Sequence, residues 1–181
     1  MEKAERTGAG AGGDDLPVTS DALLARLDAA GIAYRRFDHV ALMTVEDSKQ
    51  VQGVMRDRSQ GGLHVRNLYL RDRKKRNFLV TVEQDRPIDL KALGERIGAV
   101  NLSFGSADRL LEFLGIRPGA VTPLAMVTGA ETGVTLVLDV AIREAEVVYV
   151  HPLVNDRTLE MRPADLLRFL EGLGVSPIWL D

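Results

Sequence analysis

"LHVRNLYLRDRKKRNFLVTVEQD", residues 63–85, decides how this chain folds. Its first part alternates. Leu63, Val65, Asn67 and Tyr69 fall on one side, and His64, Arg66, Leu68 and Leu70 on the other, which is the two-residue period of a strand. "RNFLVTVEQD" is rich in β-branched and apolar residues and reads as a second strand. The six residues "RDRKKR" between them read as a polar hairpin turn. An antiparallel hairpin is therefore the unit that the rest of the chain must cover.

On the N-terminal side, "TSDALLARLDAAG" predicts a helix. Thr19 or Ser20 can cap it, Leu23, Leu24 and Leu27 form one apolar face, and Gly31 closes it. "IAYRRFDH" predicts a short strand. "TVEDSKQVQGVM" opens with Thr44 three residues before Asp47, a capping pattern for a second helix. On the C-terminal side, "DLKALGERIG" and "SADRLLEFLG" predict two helices, capped by Asp89 and Ser106 and each ended by Gly. "IRPGAVTP" reads as a loop. "LAMVT", "VTLVLDVAI" and "EVVYVHP" read as strands, and "RPADLLRFLEGLG" as a last helix with Pro163 near its start. The order is αβαββααβββα, with room for one more strand before the last helix. Strands joined by hairpin-length links predict an α/β chain of the α+β type with a mixed sheet.

With 181 residues, the chain suits a single domain. Residues 1–16 are Gly-rich and aperiodic and are expected to be a disordered tail, leaving 17–181 as the domain. The tail's "GAGAGG" fits a dinucleotide-binding pattern only formally, because no strand precedes it. There is no cysteine, which excludes disulfides, thiolate metal sites and a cysteine nucleophile. The three histidines, His39, His64 and His151, are scattered and make a weak metal site. No G-x-S-x-G elbow is present to support a serine hydrolase. No apolar run reaches the ~20 residues of a membrane span, and no signal-type segment opens the chain, so a cytoplasmic protein is expected.

Net charge is −3, yet residues 56–76 hold eight Lys/Arg against two acids, so the rest of the chain carries −9. A local basic patch on an acidic protein suits a phosphate-bearing partner. Arg71, Lys74, Lys75 and Arg76 in the turn could contact nucleic-acid phosphates, although a charge run is more often a solvated turn. Arg66 could hold a phosphate or carboxylate bidentately, and Asn67 offers two donors and an acceptor; the bland alternative is an exposed strand position. Residues Gly119 to Pro123 could aim backbone N–H groups at an anion. A helix-to-strand connection explains that loop as well, and on composition alone that reading is favoured. Pro152 forces His151 into extended backbone at a strand end, where a site could use it as a donor or to orient water.

In order and spacing, "TVEDS", "HVRNLYLRDRKKRNFLVTV", "LSFGSADRLLEFLGIRPGAVTPLAM" and "HPLVND" resemble the YbaK-type aminoacyl-tRNA deacylases, the bacterial prolyl-tRNA editing family. The likeness runs from about Tyr34 to Leu173 and is stronger to the free-standing branch that hydrolyses Ala-tRNA(Pro). It implies a mixed, barrel-like sheet of about six to seven strands surrounded by helices, and an enzyme with neither metal, cofactor nor covalent nucleophile. It implies that Arg66, Asn67 and His151 are the catalytic set. It also implies that Gly119, Ala120, Val121, Thr122, Pro123, Thr44, Asp139 and Asn155 contact the substrate, Asp139 through its α-amine. The implied partners are aminoacylated tRNA, foremost tRNA(Pro), and prolyl-tRNA synthetase. Alternatives are a deacylase for Cys- or Ser-charged tRNA and a tRNA-binding module without catalysis. The chain departs from the family at two places. Arg66 stands where the family has Lys, keeping the charge on a bulkier, planar group. His39 is followed by Val40 where the family often has Pro.

Overall fold

The hairpin lies at the centre of the sheet in the structure, a computed structural model that describes residues 15–181. Residues 1–14, including "GAGAGG" and most of the expected tail, lie outside the described residues. The strands are β1 (Arg35–Asp38), β2 (Gly62–Arg71), β3 (Asn77–Glu83), β4 (Ser103–Phe104), β5 (Thr135–Asp139), β6 (Val147–Val150), β7 (Arg157–Met161) and β8 (Ile178–Leu180). The helices are α1 (Ser20–Ala29), α2 (Val45–Val51), α3 (Leu90–Ile97), α4 (Ala107–Leu114), α5 (Met126–Thr132), α6 (Ala141–Glu144) and α7 (Pro163–Gly172). The sheet runs β1-β7-β6-β2-β3-β5-β8, with β4 beside β2. It is mixed: β2–β6, β3–β5 and β5–β8 are parallel, and β2–β3, β6–β7 and β1–β7 antiparallel.

Strand alternation assigns the core. Leu79 of β3, Leu136 and Leu138 of β5 and Val148 and Val150 of β6 pack with α1, α4, α5 and α7. Phe78, Val80 and Val82 of β3 and Val137 of β5 point the other way and pack with Leu93 of α3 and Leu180 of β8. Strands buried on both faces explain the unbroken apolar runs "FLV" and "LVL".

The predicted caps are present. The Thr44 hydroxyl accepts from the Asp47 N–H at 3.1 Å while Asp47 accepts from the Thr44 N–H, a complete capping box on α2. The turn "RDRKKR" is more than a solvated link. Asp72 is buried, and burial alone would raise its carboxyl. Bonds from the Arg76 N–H (2.9 Å) and guanidinium (2.6 and 2.9 Å) outweigh that and hold it below the ordinary 3.8.

Two element predictions are corrected. "LAMVT" is not a strand. Thr122 caps Leu124 from a hydroxyl 3.3 Å away, Pro123 starts a 3₁₀ turn, and the chain continues into α5 until Gly133 closes it at φ 79°. A short apolar run fits either structure, and here the caps decide. "VTLVLDVAI" breaks after Asp139, whose carboxylate accepts the Ala141 N–H at 3.0 Å and starts α6. The structure also adds β4 and β8, which are too short to show a period in sequence.

One interruption matters for the site. Along the edge of β2 away from β3, β6 pairs with residues 62–64 and β4 with residues 70–71. Between them the edge is left without a partner strand among the described residues, opening a notch beside Val65, Arg66, Asn67 and Leu68.

Candidate functional site in the β2 notch

A cavity of about 180 Å³ fills the notch. Val65, Arg66 and Asn67 form its floor, Thr44, Val45 and Ser48 come from α2, Gly119 and Val121 from the loop after α4, and His151 from the end of β6. An inner cavity of about 30 Å³ adjoins it, sharing Leu42, Ser48, Val65 and His151. Its remaining wall is part polar, from Gln52, His64, Gln84, Tyr149 and Thr158. The Gln52 amide donates to Gln84 Oε1 at 2.8 Å across that wall.

Arg66 is anchored at one end only. Its Nη2 donates to the Arg86 carbonyl at 2.9 Å, while its buried Nε has no acceptor among the described residues. A buried guanidinium N–H without a partner is costly, which sets Arg66 apart from arginines whose N–H groups are paired. Asn67 faces Thr81 across the hairpin and its Oδ1 accepts the Thr81 hydroxyl at 2.7 Å, which leaves its amide N–H groups as donors.

His151 is fixed by its own strand end. Its Nδ1 lies 3.0 Å from the Arg157 carbonyl, which can only accept, so Nδ1 carries the proton and the neutral ring keeps a lone pair on Nε2. Burial pushes the imidazole below its ordinary 6.5; the Arg157 carbonyl opposes this and His39 adds to it. Of the two roles expected for His151, donor or water-orienting group, its free nitrogen as an acceptor suits the second. His39 packs edge-on against it at 6.4 Å and bridges the Val40 carbonyl (2.8 Å) and the Thr158 hydroxyl (2.7 Å).

The loop is a tight turn in which the Ala120 N–H donates to the Arg117 carbonyl at 3.2 Å. Pro118 sets its first corner, and Gly119 has φ 88°, where a Cβ would lie 3.0 Å from Asn155 Nδ2 and from Met43 Sδ. Glycine is therefore required for this close approach. Asn155 fastens the opposite lip, donating to the Leu42 carbonyl at 2.8 Å.

The structure brings Arg66, Asn67, His151, Thr44, Gly119 and Val121 onto one cavity. It does not bring the other sequence candidates there. Ala120 is buried with its N–H spent in the turn, and Thr122 and Pro123 are buried as the cap and start of the 3₁₀ turn. Asn155 ties Leu42 at the lip and does not line the cavity. Asp139 is 2 % exposed and saturated: it accepts from the Glu83 and Ala141 N–H groups at 3.0 Å and pairs with Arg86 at 3.0 Å. An α-amine contact by Asp139 is replaced by a structural role. Arg76 is likewise committed, to Asp72 and to the Gly98 carbonyl at 2.7 Å, whereas Arg73, Lys74 and Lys75 are exposed. Sequence reasoning missed Ser48, Gln52, Gln84 and Thr158. Ser48 and Gln52 follow the capped Thr44 on one helical side, a signal that was available; Gln84 and Thr158 gave none.

Among solved structures, the chain matches a candidate trans-editing enzyme for prolyl tRNA synthetase with a TM-score of 0.65 at 19 % identity, over 90 % of this chain and 94 % of that one. That likeness shows the fold, a mixed α/β domain with the notch in its central sheet. The sequence places it further. The aminoacyl-tRNA editing domain profile matches residues 39–169, and the chain belongs to that family. Among curated relatives, it is 34 % identical to the prolyl-tRNA editing protein ProX of Acetoanaerobium sticklandii, over 84 % of this chain and 91 % of that protein. It is 36 % identical to the mouse prolyl-tRNA synthetase associated domain-containing protein 1, over 86 % of this chain and 92 % of that protein. The zebrafish protein of the same name is 43 % identical, with a match that spans 66 % of each chain. No described helix is long and apolar enough to cross a membrane.

Proposed function

We propose that the chain is a trans-editing deacylase that hydrolyses the ester of mischarged Ala-tRNA(Pro). The observation that carries this reading is the convergence of Arg66, Asn67, Gly119 and His151 on one cavity of about 180 Å³, with the buried Arg66 Nε lacking an acceptor among the described residues. The Arg66 guanidinium receives a terminal-nucleotide oxygen, and the Asn67 amide donates to the aminoacyl carbonyl. The His151 Nε2 lone pair orients the attacking water. An ester is activated compared with an amide, so positioning and directed dipoles suffice without a covalent nucleophile. We assign the size limit to the narrower inner cavity, which on this reading receives the alanine methyl group and rejects a pyrrolidine ring. Rejecting the larger side chain sterically is how a second sieve works.

The polar wall of the inner cavity, Ser48, Gln52, Gln84 and Thr158, favours one alternative, a Ser-charged tRNA. Deacylation of Ala-, Ser- and Pro-charged tRNA(Pro) by the purified protein decides. Ala is expected to be released fastest, Ser-first release moves the assignment to the alternative, and decay at buffer rates for all three removes both. Cytoplasmic location and docking on prolyl-tRNA synthetase belong to this same reading and are tested by fractionation and co-sedimentation.

A further inference from the structure

Opposite the His151 end of the notch, β4 closes the free edge of β2 with an unusual surface. Phe104 pairs with Leu70 yet is 67 % exposed, among the most exposed large apolar residues described. The basic turn lies against the same segment: the Arg73 N–H donates to the Val100 carbonyl at 2.8 Å, Arg71 pairs with Ser103, and Arg76 reaches the Gly98 carbonyl at 2.7 Å. The end of β2 that pairs with β4, the turn after it and the helix α4 that follows β4 carry Arg71, Arg73, Lys74, Lys75, Arg76 and Arg109, with Asp72, Asp108 and Glu112 as the acids of the same segments. Asp72 is neutralised within the turn by Arg76. Arg73, Lys74 and Lys75 are exposed, and no ion pair involves them among the described residues, whereas most of the other described arginines are paired.

Exposed aromatic surface framed by free cations is how proteins hold single-stranded nucleic acid: the ring stacks on a base and the cations take phosphates. The placement fits the notch. Phe104 sits opposite Leu70 on the β4 edge, four residues along β2 from Arg66. Four residues of strand are ~13 Å, the length of about four stacked nucleotides at ~3.4 Å each. We propose that Phe104 is a stacking platform for a base in the unpaired 3′ strand of tRNA, upstream of the esterified nucleotide, with Arg73, Lys74 and Lys75 on its phosphates. The inference rests on the nucleic-acid part of the function proposed above and adds the residue that sets the strand's path.

The test is a fluorescence titration with a short single-stranded RNA ending in CCA and carrying 2-aminopurine upstream of the terminus. The wild-type protein, Phe104→Ala and Phe104→Trp are compared, with thermal melts as the fold control for this exposed position. Phe104→Ala is expected to weaken binding about tenfold and abolish the quench, as loss of one stacked base predicts, and Phe104→Trp to retain both. Equal affinity for wild type and Phe104→Ala overturns the inference. So does a Phe104→Ala protein that keeps RNA affinity but loses co-sedimentation with prolyl-tRNA synthetase, because the face is then a protein dock. A wild-type protein that fails to bind the RNA overturns both this inference and the tRNA reading. RNA binding by stacking without ester hydrolysis supports the platform while removing the deacylase.

Discussion

Arg66 and Asp139 are both charged residues on strands of the central sheet, and both looked functional in sequence. The structure separates them by what each has left to offer. Asp139 spends its oxygens on two backbone N–H groups and the Arg86 guanidinium. Burial would raise its carboxyl, but those bonds prevail and hold it below 3.8. Arg66 has one bond to a carbonyl and a buried Nε without an acceptor, and it lines the cavity. Asp139, which organises the fold, is saturated by it; Arg66 is not, and the proposed function assigns its spare N–H to a ligand.

That contrast breaks first where its effects are largest. Asp139→Ala strands the Arg86 charge and two N–H groups in a nearly closed site, so it should cost ~3–5 kcal/mol in urea unfolding. A loss under ~1 kcal/mol shows that Asp139 is not structural. Arg66→Ala should do the reverse, lowering kcat/KM about 100-fold, equivalent to ~2.7 kcal/mol, while leaving the urea midpoint nearly unchanged. Arg66→Lys should restore part of the rate by returning the charge without the fork.

The histidines sharpen the comparison through pH. Burial holds both His151 and His64 below their ordinary 6.5. As pH falls through about 6.5 the unfolded chain takes up protons before the folded one, so stability is full above that value and declines below it. His151→Gln should flatten this acid-side loss in unfolding curves at pH 5 to 7. The acid limb of the rate profile should lie below 6.5, because His151 acts neutral. The smallest effect is expected at Thr44→Ala. Removing half of the capping box should cost ~1 kcal/mol and loosen the α2 wall of the cavity.

Much of the fold was legible because it is written in local signals. The hairpin declared its period, and the caps at Thr19, Thr44, Asp89 and Ser106 placed four helices. "LAMVT" misled because four apolar residues in a row satisfy either period, and the deciding cap, Thr122, belonged to what read as a loop. The notch was not legible at all. It is made by β4 and β6 leaving part of one edge uncovered, a long-range pairing that no residue in 65–68 encodes. The site residues drawn from the family likeness divide in the same way. Arg66, Asn67, Gly119 and His151 converge, while Asp139 shows that a polar residue at a strand end can equally be a helix cap.

The central claim is that the β2 notch hydrolyses a small aminoacyl ester on tRNA. It is tested most directly by following release of labelled Ala and Pro from charged tRNA(Pro) with the wild-type protein and Arg66→Ala. The account predicts rapid loss of Ala-tRNA(Pro), persistence of Pro-tRNA(Pro), and near-complete loss of the Ala reaction in the variant. Ala-tRNA(Pro) decaying no faster with the wild-type protein than in buffer, or equally fast with Arg66→Ala, contradicts it.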